Sequence, residues 1–232
     1  LSAPEHRDEL RATWEQGLMH LVKAAEPGSD HQLTFLRQLA SAAHSEDACA
    51  FVAAVLEGSV QLNGLSVDQD LRWGLLTGLA QAGRVGEAEI AAEEQRDNTI
   101  SGKEHAAAAR AARPDADAKA HAWETVFDPA TSNEVGRSIV LSFMRPGQEA
   151  VLSAYVEKYL DQVSTAWERL GTHRASVALD FIFPRVLASQ ELLERVDAWL
   201  TTSDAMPAAK RYVIEGRADV ARFLAAQAKD AS

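Results

Sequence analysis

Apolar residues recur along this chain at intervals of three and four, the period of a helix with one buried face. Between positions 147 and 170, Val151, Tyr155, Tyr159, Val163, Trp167 and Leu170 form such a stripe. Near the C-terminus, Ala209, Val213, Gly216, Val220, Phe223 and Gln227 form another, and Arg211, Glu215 and Arg222 lie largely off it. Breaks in the pattern coincide with Pro27-Gly28, Gly58, Gly83, Pro114, Asp128-Pro129, Pro146, Gly171, Pro184 and Pro207. Glycine reaches the left-handed conformation that ends a helix, and proline cannot continue one. Start signals of the form Ser/Thr-x-x-Glu/Gln stand at Ser2, Ser29, Ser66, Ser101 and Thr131. In such a box the hydroxyl and the carboxylate or amide satisfy N–H groups of the first turn. The same pattern inside predicted helices, at Thr13 and Thr165, shows that it acts as a boundary only beside a stop.

Together these signals predict helices near 5–25, 30–43, 46–57, 68–82, 85–97, 102–112, 116–127, 133–144, 147–170, 173–182, 190–201 and 207–229. No strand is predicted, and the stretch 59–65 reads as a loop. Composition agrees, with 43 Ala and 24 Leu against 22 Val plus Ile. The first two are strong helix formers, whereas β-branched side chains lose rotamer freedom in a helix. Helices joined by short connections pack most economically as antiparallel hairpins. The fold expected is therefore all-α: stacked helix hairpins in a HEAT- or armadillo-like α-solenoid bowl, loosely so because no crisp repeat consensus is present. The best internal seam, 58–66, is too short to divide the chain, so 1–232 is expected to be a single helical domain.

Charge and cysteine content narrow the partners. The net charge of −11 argues against nucleic acid and anionic membrane surfaces, which call for clustered Lys and Arg. No apolar run approaches a membrane span. A single cysteine, Cys49, excludes an internal disulfide framework and fits a reducing, cytoplasmic setting. The N-terminal residues Leu1 to Arg7 lack the apolar core of a signal peptide and an initiator Met, so the chain is expected to begin at a processing or cloning boundary.

Candidate chemistry is sparse. Seven histidines are present, none in the i, i+4 pair that brings two imidazoles to one side of a helix for zinc. His44 and Cys49 have no second pair to complete a ligand set. There is no G-x-S-x-G elbow and no phosphate-cradling loop, and Cys49 sits in an apolar helical stretch where a thiol serves as a small hydrophobe. Gly74 and Gly78 read as a place where a neighbouring helix comes close. The carboxylates Glu87, Glu89, Glu93, Glu94 and Asp97 read as a solvated acidic face. The five tryptophans read as core anchors. No catalytic residue and no metal ligand is assigned.

One stretch is more specific than its composition. Arg96-Asp97-Asn98-Thr99-Ile100-Ser101-Gly102 leads through His105-Ala106-Ala107 to Ala111-Ala112-Arg113-Pro114, and then to Lys119-Ala120-His121-Ala122-Trp123. This series resembles the Arg-Asp-x-Thr-x-x-Gly, Ala-Arg-Pro and Lys-x-x-Ala-Trp elements in the C-terminal helical domain of aminopeptidase N-type zinc peptidases, in their actinobacterial-like branch. Asp68 to Trp73, Ser132-Asn133 with Arg137, Pro146-Gly147-Gln148 with Tyr155 and Tyr159, and the Pro207 helix through Arg211 are similar too, so the likeness covers essentially the whole chain.

The resemblance implies a fragment, most of the C-terminal domain of a larger hydrolase. The parent would remove N-terminal residues from peptides, using zinc held by an upstream catalytic domain of the same polypeptide. The H-E-x-x-H helix and the exopeptidase motif of that domain have no match here, so this chain is expected to hold no cofactor and to do no catalysis. Its implied role is to cap the active site and to limit or contact the peptide. From a different class, the same helices could form a free-standing α-solenoid that binds a partner protein; an H-E-x-x-H segment in the frame upstream separates the two. A helical ligand-binding regulator lacks the basic reading element it would need. Two arginines stand out as candidate contacts to a peptide carboxylate. Arg137 points away from the Val135/Ile139/Phe143 stripe, and Arg174 shares a stripe with Ala178 and Phe181, an odd place for an unpaired guanidinium.

Overall fold

The computed structural model describes residues 2–231. Among them there is no strand, and the chain runs through twelve α-helices: α1 (Arg7–Ala24), α2 (Asp30–Ala42), α3 (Glu46–Glu57), α4 (Gln69–Gln81), α5 (Glu87–Arg96), α6 (Ile100–Ala112), α7 (Ala116–Phe127), α8 (Asn133–Phe143), α9 (Glu149–Leu152), α10 (Tyr155–Phe181), α11 (Gln190–Thr202) and α12 (Pro207–Asp230), with 3₁₀ turns at Pro4–His6 and Arg185–Leu187. The class is all-α and solenoid-like, as the periodicity predicts.

Two compact units make up the chain, and the division falls at Pro114/Asp115 rather than in the loop 58–66. That loop ties down its own flanks: the Val60 amide donates to Ala54 O, and Val60, Leu62, Leu65 and Val67 pack on the core of their unit.

The first unit, His6–Pro114, is built from three hairpins. Helices α2, α4 and α6 stack side by side, and α1, α3 and α5 pack on their hairpin partners. Leu36, Leu39, Val52, Leu71, Leu75 and Leu79 are buried in one cluster, with Trp73, Leu76, Ile90, Ala106 and Ala109 in the next. The hairpins are joined by capped starts. The Glu15 carboxylate on α1 accepts from the His44 and Ser45 amides at 2.6 and 3.1 Å, holding the beginning of α3.

The second unit runs from Asp115 onward and includes the residues up to Glu5. Helix α10 is its centre and packs on α7, α8, α11 and α12. Trp123, Phe127, Phe143 and Tyr155 interlock with ring centroids 4.8–6.0 Å apart. Deeper in, Tyr159 meets the edge of Phe183 at 5.3 Å and donates its hydroxyl to Leu179 O at 2.8 Å. Phe183 lies so close to Gly216 that any side chain there would strike the ring.

Several expectations are corrected. Ser29 caps α2 with its side chain, and its partner Gln32 reaches back to the Gly28 amide. Asp68, Thr99 and Ser132 cap α4, α6 and α8 in place of Ser66, Ser101 and Thr131, and α1 starts behind a 3₁₀ turn without a side-chain cap. A neighbouring Asx or hydroxyl can serve equally well, so the box locates a start but not its residue. The predicted helix 147–170 is two, α9 and the start of α10. Gly171 (φ 74°, ψ 165°) does interrupt the helix as its place among the stops predicts, and α10 is two helical stretches that meet at this kink. Trp14 is 58% exposed and anchors no core. Phe181 is exposed as well, so the stripe shared by Arg174 and Ala178 is only partly buried.

Candidate functional site

Two concavities are notable, one in each unit. The first is a narrow cleft of about 20 Å³ between α8 and the second half of α10. Arg137, Asn133 and Glu134 come from α8, His173 and Arg174 from α10, and Val126, Val140 and Val177 supply the apolar wall. The two arginines named from sequence thus meet on one cleft, together with a histidine that sequence reasoning did not single out.

The arginines differ in what they are free to do. Arg174 gives its fork to the end of α7: Nη1 donates to Pro129 O at 3.0 Å, and Nη2 donates to Val126 O at 3.2 Å and Asp128 O at 2.9 Å. Arg169 adds a bond to Phe127 O at 3.1 Å. The Val126 and Phe127 carbonyls lie in the last turn of α7, where the helix dipole is negative and carbonyls lack partners in the helix, and those of Asp128 and Pro129 follow directly after it. The two arginines stand on either side of the Gly171 kink. Arg137 lines the cleft, is exposed and makes no hydrogen bond or ion pair among the described residues.

The second concavity is a cleft of about 720 Å³ lined by α3, α4 and α5. Ala50, Ala53, Leu56, Leu76, Leu79 and Val85 form apolar lining, and charged residues stand among them. Four of those charges are paired with one another. Arg72 grips Glu93 through Nε–Oε1 at 2.8 Å and Nη2–Oε2 at 2.6 Å, and Gln69 adds a bond at 3.1 Å. Arg84 pairs with Glu46 at 2.8 Å. The Arg72 guanidinium holds the Glu93 carboxyl below its usual range, which makes it a poor proton donor. Cys49 lines the same cleft, and burial pushes its thiol up, away from the reactive thiolate.

The acidic run on α5 is therefore only in part a solvated face, with Glu87 and Glu89 exposed. Arg110 binds Glu87 and Glu94, Glu89 caps the Gly86 amide, and Glu93 and Asp97 are buried. The long helical reach of these carboxylates hid partners that lie 16 to 24 residues away. Asp97 organises the Arg-Asp-x-Thr-x-x-Gly stretch. Its Oδ2 accepts from Trp73 Nε1 at 2.8 Å and its Oδ1 from Thr99 Oγ1 at 2.7 Å, while Thr99 caps the Gly102 amide at 2.9 Å. These bonds hold the Asp97 carboxyl low, the Trp73 bond most. His105 stacks on Trp73 with ring centroids 5.9 Å apart. The Lys-x-x-Ala-Trp stretch is likewise built into its unit. Lys119 is fully buried, donating to Phe143 O at 2.6 Å and lying 5.0 Å above the Phe143 ring.

Chemically, neither cleft brings a nucleophile to a base. Among the described residues no group of three or more His, Cys, Asp and Glu side chains could hold a metal ion. No helix among them is long and apolar enough to cross a membrane. The first cleft gathers Arg137, Arg174 and His173 beside Glu134, and the second mixes apolar lining with charged side chains.

Comparison with known proteins accounts for the motifs that the geometry shows to be structural. The family model described as the ERAP1-like C-terminal domain matches residues 1–222, across both units. An aminopeptidase N of Streptomyces lividans is 39% identical over 232 residues, all of this chain. The chain spans 27% of that relative's length and corresponds to a C-terminal part of it. A match of that extent, over the residues that knit Trp73, Asp97, Thr99 and Gly102 together, places the chain in the ERAP1-like C-terminal domain family.

Proposed function

We propose that this chain is the C-terminal helical domain of a zinc aminopeptidase that removes N-terminal residues from peptides, and that it caps the active site and contacts the peptide without doing catalysis itself. The observation that carries the reading is the end-to-end likeness to a C-terminal part of an aminopeptidase N. Zinc would sit in the upstream catalytic domain and polarise the scissile carbonyl there. The part left to this chain is recognition of the peptide, in a cytoplasmic setting that suits its one buried cysteine.

Within that role, Arg137 is the proposed contact to the peptide carboxylate, because its donors are uncommitted and a guanidinium fork matches a carboxylate. Arg174 borders the same cleft, where it adds positive potential and holds the wall against α7. In the full-length enzyme, Arg137→Ala is expected to lower kcat/KM on peptides by roughly ten- to more than a hundredfold. A lost charge-assisted bond of about 1.5–3 kcal/mol corresponds to that range. Small aminoacyl amides, too short to reach this domain, are expected to be turned over as before. Equal turnover of peptides by the variant and the parent enzyme removes Arg137 from the site. Loss on both substrates alike points to damage elsewhere.

The 720 Å³ trough favours one other reading, a free-standing scaffold that holds a partner protein there. Full-length protein that hydrolyses no aminoacyl amide with zinc supplied would decide for it.

A further inference from the structure

Helix α1 carries an apolar stripe that nothing in its unit covers. Leu10 is 50% exposed, Trp14 58% and Leu21 40%. With Gly17, which has open space around it, they stand at i, i+4, i+7 and i+11 on one side of the helix. No charged residue lies within this stripe. Leu18 and Val22, buried against the rest of the unit, adjoin it, so apolar surface runs around α1 from the core to the outside.

Helix α1 stands at the end of the α1–α6 stack, and α2 is its main partner. In a stacked array each element buries a face against the next, and a terminal element needs a polar outer face to stay soluble. The outer side of α1 is apolar. We propose that the Leu10–Trp14–Gly17–Leu21 face is the seat of a helix of the same polypeptide, contributed by the segment that precedes this chain in the full-length protein. The proposal rests on the reading that the chain belongs to a longer peptidase. The relative it matches extends well beyond it, and this chain corresponds to a C-terminal part, so the additional polypeptide lies mainly on the N-terminal side. Gly17 between Trp14 and Leu21 leaves a notch into which a neighbouring helix can lower a side chain. A second copy of the chain suits the stripe less well. Three large side chains on one helix present only a few hundred Å², whereas a stable dimer buries about 1,200–2,000 Å².

The test uses the full-length protein with Trp14→Cys or Gln16→Cys, Gln16 being exposed on the other side of α1. Both positions fall in one tryptic peptide, so maleimide labelling under native conditions is read by mass spectrometry on the same fragment. The Trp14→Cys thiol is expected to label at least tenfold more slowly than the Gln16→Cys thiol. A photo-crosslinking benzoylphenylalanine at position 10 is expected to join residues upstream of Leu1. Equal labelling rates overturn the proposal. So does a crosslink to residues within 1–232, or protection that appears only in a species of dimeric mass. Hydrolysis of an aminoacyl amide by the same preparations separates the two readings: a fully active enzyme with a freely labelled stripe defeats only this inference, and a protected stripe in an inactive protein defeats only the peptidase assignment.

Discussion

Gly78→Ala is expected to lower stability by about 3 kcal/mol, whereas Gly74→Ala, four residues earlier on the same helix, is expected to raise it by about 1 kcal/mol. The two glycines of α4 have identical spacing and opposite surroundings. A Cβ on Gly78 would collide with the Ala40 carbonyl oxygen of α2 and come within 2.6 Å of its carbonyl carbon. Those atoms belong to a helix backbone, so they cannot swing aside as a side-chain tip could. The α2–α4 crossing would have to open, and with it the contacts of Leu36 and Leu39 with Leu71, Leu75 and Leu79. At Gly74 the built Cβ meets nothing within 4 Å, so alanine brings only its better helix propensity. Urea melts of the two variants check this directly. A Gly78→Ala midpoint equal to that of the parent protein would mean that α2 and α4 do not approach as described.

The second large effect concerns Lys119. Burial lowers its ammonium from the usual lysine value to about 7, with the Arg145 charge adding to the shift and Asp115 opposing it. In the unfolded chain the amine returns to the ordinary range near 10.4. Below pH 7 both states carry the proton and the cost of burying the charge is present in full. As pH rises above 7 the folded state releases its proton and the unfolded state retains it, so stability climbs with pH. The expected slope is about 1.4 kcal/mol per pH unit, leading to a gain of roughly 2–3 kcal/mol between pH 7 and 9. From about pH 8.5 upward the buried Cys49 thiol, and from about pH 10 the buried Tyr159 hydroxyl, both raised by burial, pull the other way, since the unfolded chain ionises them first. Lys119→Met should flatten the slope between pH 7 and 9. Denaturant midpoints measured across that range in both proteins decide the matter. An equally steep rise in Lys119→Met would place the titrating group elsewhere.

Local chemistry in the sequence was enough to settle what kind of elements this protein has. Ala and Leu richness, the three-and-four spacing and the proline and glycine stops are properties of neighbouring residues, and helix formation depends chiefly on those. The stripe of Ala209, Val213, Gly216 and Val220 is buried as its spacing required, and the Asp97–Gly102 motif, whose residue types signalled the family, is intact. The meeting of Arg137 with Arg174 on one cleft was partly legible, since both residues broke their local pattern. What neighbours cannot specify is which distant group a side chain meets. That Arg174 is bound to three carbonyls near the end of α7 follows from how α10 passes α7, some 45 residues away. That Glu93 is gripped by Arg72, that Gly78 and not Gly74 bears a helix crossing, and that Trp14 faces outward while Trp73 is sealed against Asp97 were likewise decided by packing. A helical period fixes which residues share a face, but only the tertiary arrangement determines what that face is pressed against.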